Sequence, residues 1–314
     1  MPRDHSSAGN APDPSVALAA DRHALSDRRI AQLVIGVVGA VAVAVCVNLY
    51  VALSGERREL LDGAAQTARN LARVIDEQAR GSVDAVDIAL ASIAVSLRAL
   101  PVRDERGSRA VHALLQDSLR GLPFVRAIWV LDAHGDMIHD TDDLPGRYNL
   151  ADRPYFRALR DGTERGLRLD PPIPGIQGRW FVAASRRIDN PDGSFWGVAV
   201  AAIEPKFFER VYGSIAVGEH GVLAMTRLDS TLIARAPPAD EARGQPAQPT
   251  PAFVEMLRHA DAGVYRASST IDGVERIYAY RRVGERPLVV IVGSASPTSS
   301  PPGTARRSRA ARHP

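Results

Sequence analysis

Residues able to do chemistry are few and scattered in this chain of 314 residues. His134 and His139 straddle a turn at Asp132-Ala-His-Gly135 and invite a metal. A closed zinc site needs four N or S ligands, and no further Cys or His stands beside the pair, so they read as exposed turn residues. Asp140, Asp142 and Asp143 follow without the spacing of a calcium loop and read as a solvated loop. Cys46 is the single cysteine; it lies in an apolar block with no activating neighbour and can form no internal disulfide. No Gly-x-Gly-x-x-Gly between a strand and a helix, no P-loop and no His-Glu-x-x-His occurs, and no nucleophile–base pair is legible. The sequence therefore predicts no catalytic residue, no metal site and no cofactor. A formal charge of +3 carries no nucleic-acid footprint. Lys206 is the only lysine, so the positive charge is almost all arginine. The planar guanidinium fork is suited to clamping a carboxylate.

Three kinds of element must carry these residues. Residues 1–29 are polar and rich in Pro, Ser and Ala, and read as a disordered tail. Ala31 to Leu53 is a run of 23 residues without a charge. At ~1.5 Å per residue it is long enough for a ~30 Å hydrocarbon core, so residues 30–53 are read as a transmembrane helix. The run exceeds the roughly 7–15 apolar residues of a cleaved signal peptide, and Val51-Ala52-Leu53-Ser54 is a poor cleavage site; an uncleaved signal anchor fits better. Arg22, Arg28 and Arg29 precede the run, and Arg57 and Arg58 follow it, a weak bias. The simplest topology keeps the tail in the cytoplasm and exports everything from Glu56 onward.

Residues 54–100 follow as a long stalk helix. Leu61, Ala65, Ala68, Ala72, Ile75, Ala79, Val86, Leu90, Ile93, Leu97 and Leu100 recur at helical spacing, until Pro101 and the segment 103–107 end the pattern. The seam suits either a dimeric coiled coil or packing against the chain's own domain; both are expected, the distal half packing on the domain. One pattern is then used twice. Strand-like Phe124–Leu131, a turn and a return strand from Asp136 to Thr141 precede a short helix from Asp152 to Leu159, with Asp152 as N-cap. Strands at Gly166–Asp170, Arg179–Ile188 and Phe195–Ile203 complete this first module, residues 101–204. Pro205–Ser214 is a connecting helix. Val222–Arg227 and Thr231–Arg235 form the second hairpin, a polar linker covers Pro237–Pro251, and Phe253–His259 is a helix. Val264–Ser268, Val274–Arg282 and Pro287–Val292 close the second module, residues 205–293. The expected class is α+β, two antiparallel sheets each with helices on one face.

The order of several motifs resembles a known family. Asp152-Arg-Pro-Tyr-Phe156, Gly178-Arg-Trp180, Ala184-Ser-Arg-Arg-Ile188, Asp192-Gly193 and Gly197-Val-Ala-Val-Ala-Ala-Ile203 look like the first half of a double Cache (PDC) sensor domain. Gly273-Val-Glu-Arg-Ile-Tyr-Ala-Tyr-Arg-Arg282 and Pro287-Leu-Val-Val-Ile-Val-Gly293 look like the end of its second half. The resemblance covers roughly residues 57–294 and is nearest to the periplasmic sensor halves of bacterial diguanylate cyclases and sensor histidine kinases. It implies PAS-like Cache modules, the first distal and the second proximal to the membrane, with a small ligand in the distal one. Tyr148, Arg153, Tyr155 and Phe156 match the first part of an amino-acid-binding pattern in that family, with Tyr155 in place of Trp. The pattern's later carboxylates are missing: its Tyr-x-Asp falls near Asp170-Pro-Pro-Ile173, and its final Asp falls at Ala202. The resemblance thus implies ligand-binding residues Tyr148, Arg153, Tyr155, Phe156, Trp180 and Ser185, and a carboxylate or other small anion as ligand. The competing readings are an ion pair of Arg153 with Asp152 or Asp170, and core positions for Tyr155, Phe156 and Trp180.

The Gly-Gly-Asp/Glu-Glu-Phe loop of a diguanylate cyclase does not occur. Residues 294–314 hold a Ser/Pro run and Arg306, Arg307, Arg309 and Arg312, and read as a disordered tail where the family continues into a second membrane helix. The sequence is thus expected to be a sensor without its cytoplasmic output domain, anchored once in the bacterial inner membrane with the folded part in the periplasm. Its expected partners are a small-molecule ligand, the membrane and, through the stalk, a second copy. A membrane-tethered enzyme with an unfamiliar site, or a protein-interaction scaffold, are the alternatives.

Overall fold

The computed structural model of the protein describes residues 14–99, 105–142, 144–162, 164–246 and 251–295. The chain divides into two units at Leu60. The tails at 1–13 and 296–314 lie outside the described residues, as do most side chains of the apolar run at 31–53. Among the described residues no helix is long and apolar enough to cross a membrane.

Helix α1 spans Pro14–Ala99. In the first unit its described side chains from Val41 to Tyr50 are exposed all round. In the second unit Ala65, Ala68, Ala72, Ile75, Ala79, Val86, Leu90, Ile93 and Leu97 are all buried. From Ala65 to Leu97 the seam therefore packs on the chain's own modules, not only in its distal half; Leu100 lies outside the described residues. Small alanines dominate the earlier part of the seam and larger Val, Leu and Ile the later part.

Helix α2 (Glu105–Arg120) follows, where the sequence suggested only the end of the stalk. Its apolar stripe is Val111 and Leu115, buried, with Leu114 and Leu119 partly buried beside them. The first sheet holds β1 (Val125–Asp132), β2 (Met137–Asp140), β3 (Arg168–Pro174), β4 (Trp180–Asp189) and β5 (Phe195–Ile203) in the order β2-β1-β5-β4-β3. All its pairs are antiparallel, and Trp129 on β1 faces Val200 on the central β5. Strand alternation sorts the side chains. Ile128, Val130, Ala184, Ala199 and Ala201 join the core with α1 and α2. Ala127, Trp129, Leu131, Ala183 and Val200 face the other way, onto α3 (Pro154–Asp161). Both faces of the sheet are thus covered, where helices on one face were expected. Gly197 permits the β1–β5 approach: a Cβ there would fall 2.1 Å from the Leu131 carbonyl oxygen.

Helix α4 (Pro205–Gly213) leads to the second sheet. Here β6 (Val222–Arg227), β7 (Leu232–Ala236), β8 (Ala262–Ser268), β9 (Glu275–Arg282) and β10 (Leu288–Ala295) adopt the order β7-β6-β10-β9-β8. The permutation is that of the first sheet, so the repeat read in the sequence is a repeat of topology. Leu223, Met225, Val290 and Val292 pack into the core that includes α1. Their neighbours Val289 and Tyr280 pack with Phe253 of α5 (Pro251–His259) on the opposite face.

Ion pairs fasten α1 to both sheets. Asp87 receives Arg186 of β4 and, at 3.1 Å, Arg286 of the β9–β10 turn. Arg286 also meets Asp84 at 2.9 Å, and the buried Asp76 takes Arg281 of β9 at 2.7 Å.

Candidate functional site

The first module carries a cavity on the α3 side of its sheet, lined by residues that include Arg126, Trp129, Asp142, Arg153, Tyr155 and Arg179. Three segments deliver them: strand β1, the loop and helix start at 142–155, and the β3–β4 hairpin tip.

Arg153 is the N-cap of α3, with φ −68° and ψ 139°, and its side chain caps nothing. The expected N-cap, Asp152, lies one residue too early and is exposed. Pro154 at the first helical position needs no N–H there and restricts the residue before it to extended backbone. That extended conformation turns Arg153 out of the helix and onto the cavity wall. Tyr155, two residues on, is 1% exposed and lines the same cavity. Burial raises the pKa of its hydroxyl, and the Arg153 cation opposes that shift. Arg187 of β4 holds the other end of α3, donating to the Leu159 carbonyl at 2.6 Å and the Arg160 carbonyl at 3.0 Å. Cations at a helix C-terminus are favourable there.

Both ion-pair readings of Arg153 fail. Asp170 is buried, but Arg168 holds it in a bidentate pair at 3.0 Å on each oxygen. Asp152 makes no pair with Arg153, and among the described residues Arg153 has no carboxylate partner.

The remaining sequence-selected residues stand elsewhere. Phe156 is fully buried and packs edge-on against Phe195 at 5.8 Å; it is core. Tyr148 is half-buried and donates its hydroxyl to the Pro145 carbonyl at 2.8 Å, bracing the loop beside the cavity. Ser185 is buried in mid-strand on β4, with its Oγ unpaired. Trp180 is 36% exposed, and its ring lies against Gly244 of the second module, where φ is +71° and a Cβ would fall 2.6 Å from the indole. None of the four lines the cavity. His139, read as exposed, is 9% exposed with Nε2 unpaired. Among the described residues no group of His, Cys, Asp and Glu is placed to hold a metal ion.

Sequence reading missed Arg126, Trp129, Asp142 and Arg179. Strict alternation puts Arg126 on the face opposite Ala127 and Trp129. The β1–β5 register slips between Val125 and Ala127, however, and such a bulge re-aims a side chain. Arg126 pairs with Asp142, and its buried Nε approaches Glu204 at 3.9 Å without forming a hydrogen bond. Burial lowers its pKa, the Arg179 cation lowers it further, and Glu204 works the other way. Trp129 packs edge-on against Phe181 at 5.5 Å, and its ring N–H approaches Tyr155 without a well-formed hydrogen bond.

The wall thus carries three guanidiniums and, among the described residues, one carboxylate, which Arg126 already occupies. The enclosed space is about 20 Å³, enough for a single water.

Comparison with known proteins agrees with this architecture. Residues 205–293 match the dCache_1-like histidine kinase sensor domain. The extracellular domain of rpHK1S-Z16, described as a histidine kinase, superposes with a TM-score of 0.69 and 28% identity, over 75% of this chain and 95% of that one. The ligand-binding domain of Mlp24, solved with asparagine, gives 0.55 and 17% over 76% and 95%. That of the Campylobacter jejuni chemoreceptor Tlp3, solved with 4-methylisoleucine, gives 0.56 and 10% over 75% and 92%. No curated protein matches the chain. Two five-stranded antiparallel sheets of the same strand order, set on one long helix, together with these likenesses, give the folded part of this chain the fold of double Cache sensor domains, with residues 205–293 matching the dCache_1-like sensor family itself.

Proposed function

We propose that this chain is the ligand-sensing part of a bacterial signal-transduction receptor, anchored in the inner membrane by residues 30–53 with its modules in the periplasm. In this reading the first module takes a small carboxylate or similar anion. The observation that carries it is the charge on the cavity wall: half-buried Arg153 has no carboxylate partner among the described residues, half-buried Arg126 stands beside it, and exposed Arg179, which donates to Gln177 at 3.0 Å, adds a third cation. A partly buried guanidinium without an acceptor costs free energy that an anionic ligand would recover. Tyr155 and Trp129 supply the aromatic walls. Asp142 favours a second reading, an α-amino acid whose ammonium meets that carboxylate; Arg126 would then have to release it.

A thermal-shift series on the purified chain separates these readings. Acetate, succinate and other simple organic acids should raise the melting temperature by mass action. Arg153→Ala should abolish the shift while leaving the unliganded melting temperature within a few degrees, and Arg153→Lys should restore little of it for want of the bidentate fork. Stabilisation by amino acids alone would favour the second reading. Stabilisation by neither class would remove the basis of both.

The anchor rests on the uncharged run at 31–53 and on the exposure of Val43, Val45, Val47 and Leu49 along α1. Alkaline phosphatase fused after Ser294 should be active. An inactive fusion, with an active cytoplasmic reporter at the same point, would reverse the orientation. A homodimer through α1 is part of the proposal: Val74, Ile88 and Val95 are 60–71% exposed and separated by multiples of seven residues.

A further inference from the structure

The second module holds a larger cavity than the first, about 110 Å³. It lies on the sheet face turned away from α1. Strand alternation on β6 sends Val222, Ala224 and Thr226 into it, while Leu223 and Met225 join the core with α1. Phe253 of α5 and the stacked pair Tyr265 and Tyr278, with ring centroids 5.2 Å apart, form an aromatic wall. An apolar cavity of about 150 Å³ accepts benzene, so the space suits a body of a few carbons.

Two polar features stand in this apolar setting. Thr226 Oγ1 is buried and has no hydrogen-bond partner. Buried hydroxyls are normally satisfied, and an orphan calls for a missing partner. The second feature is charge. Arg235 lines the cavity with its side chain 6% exposed. Its one carboxylate partner among the described residues is Asp272, and Asp272 is shared. Arg276, 3% exposed, grips the same carboxylate with two bonds, at 2.7 and 2.9 Å, and donates its Nε to the His220 carbonyl at 2.6 Å. Two buried guanidiniums on one carboxylate leave one positive charge uncompensated beside the cavity.

We infer that the second module has a ligand site of its own, which takes a small monocarboxylate with a short apolar or aromatic tail. The carboxylate would meet Arg235 and accept from Thr226 Oγ1, and the tail would lie against Phe253 and Tyr265. One uncompensated charge fits one carboxylate, and the apolar lining excludes a polyanion, whose further charges would find no donors. The site stands on residues separate from those of the first module, so the two can be tested apart.

Isothermal titration of the full chain in detergent, with benzoate and isovalerate as probes, tests it. An Arg153→Ala chain, in which the first site is disabled, should still bind a probe. Thr226→Val in that background should weaken binding about five- to tenfold, the loss of one hydrogen bond. Ala267→Phe fills the cavity from a half-exposed strand position and should abolish binding with the circular dichroism spectrum unchanged. Benzamide, neutral and of the same shape, should bind at least tenfold more weakly than benzoate. Failure of both probes to bind the Arg153→Ala chain at millimolar concentration would overturn the inference and leave the first-module reading intact. Binding unaffected by both Thr226→Val and Ala267→Phe would overturn it equally.

Discussion

Arg153 and Tyr155 were singled out through the family resemblance, and one local rule accounts for where the fold puts them. An arginine held extended by the proline after it, two residues before an aromatic at the start of a short helix, has little choice of direction. Arg126 obeys no such rule: a register slip in β1 aims it, and a slip depends on the partner strand. Asp142 and Arg179 come from a loop and a hairpin tip, which periodicity does not describe. His139 was misread because a turn residue was taken as exposed, whereas α2, which the sequence reading passed over, brings His112 beside it. Burial lowers the His139 pKa from its ordinary 6.5, His112 lowers it further, and Asp140 opposes. The unfolded chain therefore takes up this proton at a higher pH than the folded one. Above pH 6.5 neither state carries it, and stability is full. As pH falls below 6.5, stability should decline, by at most about 1.4 kcal/mol per pH unit for this proton. Urea midpoints between pH 7.5 and 5 should show this decline, and His139→Gln should flatten it; an unchanged slope would place the effect on other groups.

At the scale of elements, composition and periodicity located all ten strands and the short helices to within a few residues. The largest error among the strands was β3, ended at Asp170 in the sequence reading but continuing to Pro174. Prolines at 171, 172 and 174 argue against a central strand, yet β3 is an edge strand, where a missing N–H need not be paired. Helix α2 was passed over although Val111, Leu114, Leu115 and Leu119 stand at helical spacing on one face. What periodicity cannot convey is how α1 is fastened. Among the described residues Asp87 is the one carboxylate of α1 that holds an arginine from each module, Arg186 and Arg286. Asp84 holds only Arg286 and is nearly half exposed. Asp87→Asn should cost about 1–3 kcal/mol in a denaturant titration, as charged hydrogen bonds of partly buried groups do. Asp84→Asn should cost under about 1 kcal/mol. Equal losses would mean that Asp87 has no special place.

For the whole molecule, the two faces of α1 have different occupations. One is core for both sheets. The other presents Val74, Ile88 and Val95 at heptad spacing, with Gly81 at the intervening position. The seam noticed in the sequence is the first of these; the second is sparser and was hidden by it. If the proposed dimer forms through the second face, Ile88→Asp should reduce the dimer fraction at least tenfold in sedimentation equilibrium. The melting temperature of the separated monomer should barely move, since the side chain is 71% exposed. A dimer indifferent to Ile88→Asp would place the contact elsewhere.

The shared core has a consequence for how the molecule comes apart. One continuous hydrophobic cluster runs from Ala68 to Leu97 of α1 through the inner faces of both sheets. Neither sheet can lose its helix without exposing apolar surface of the other, so melting should be a single cooperative event, not two. Protection of slowly exchanging backbone amides would then rise throughout both sheets when either cavity is filled, because each opening must break the same wall.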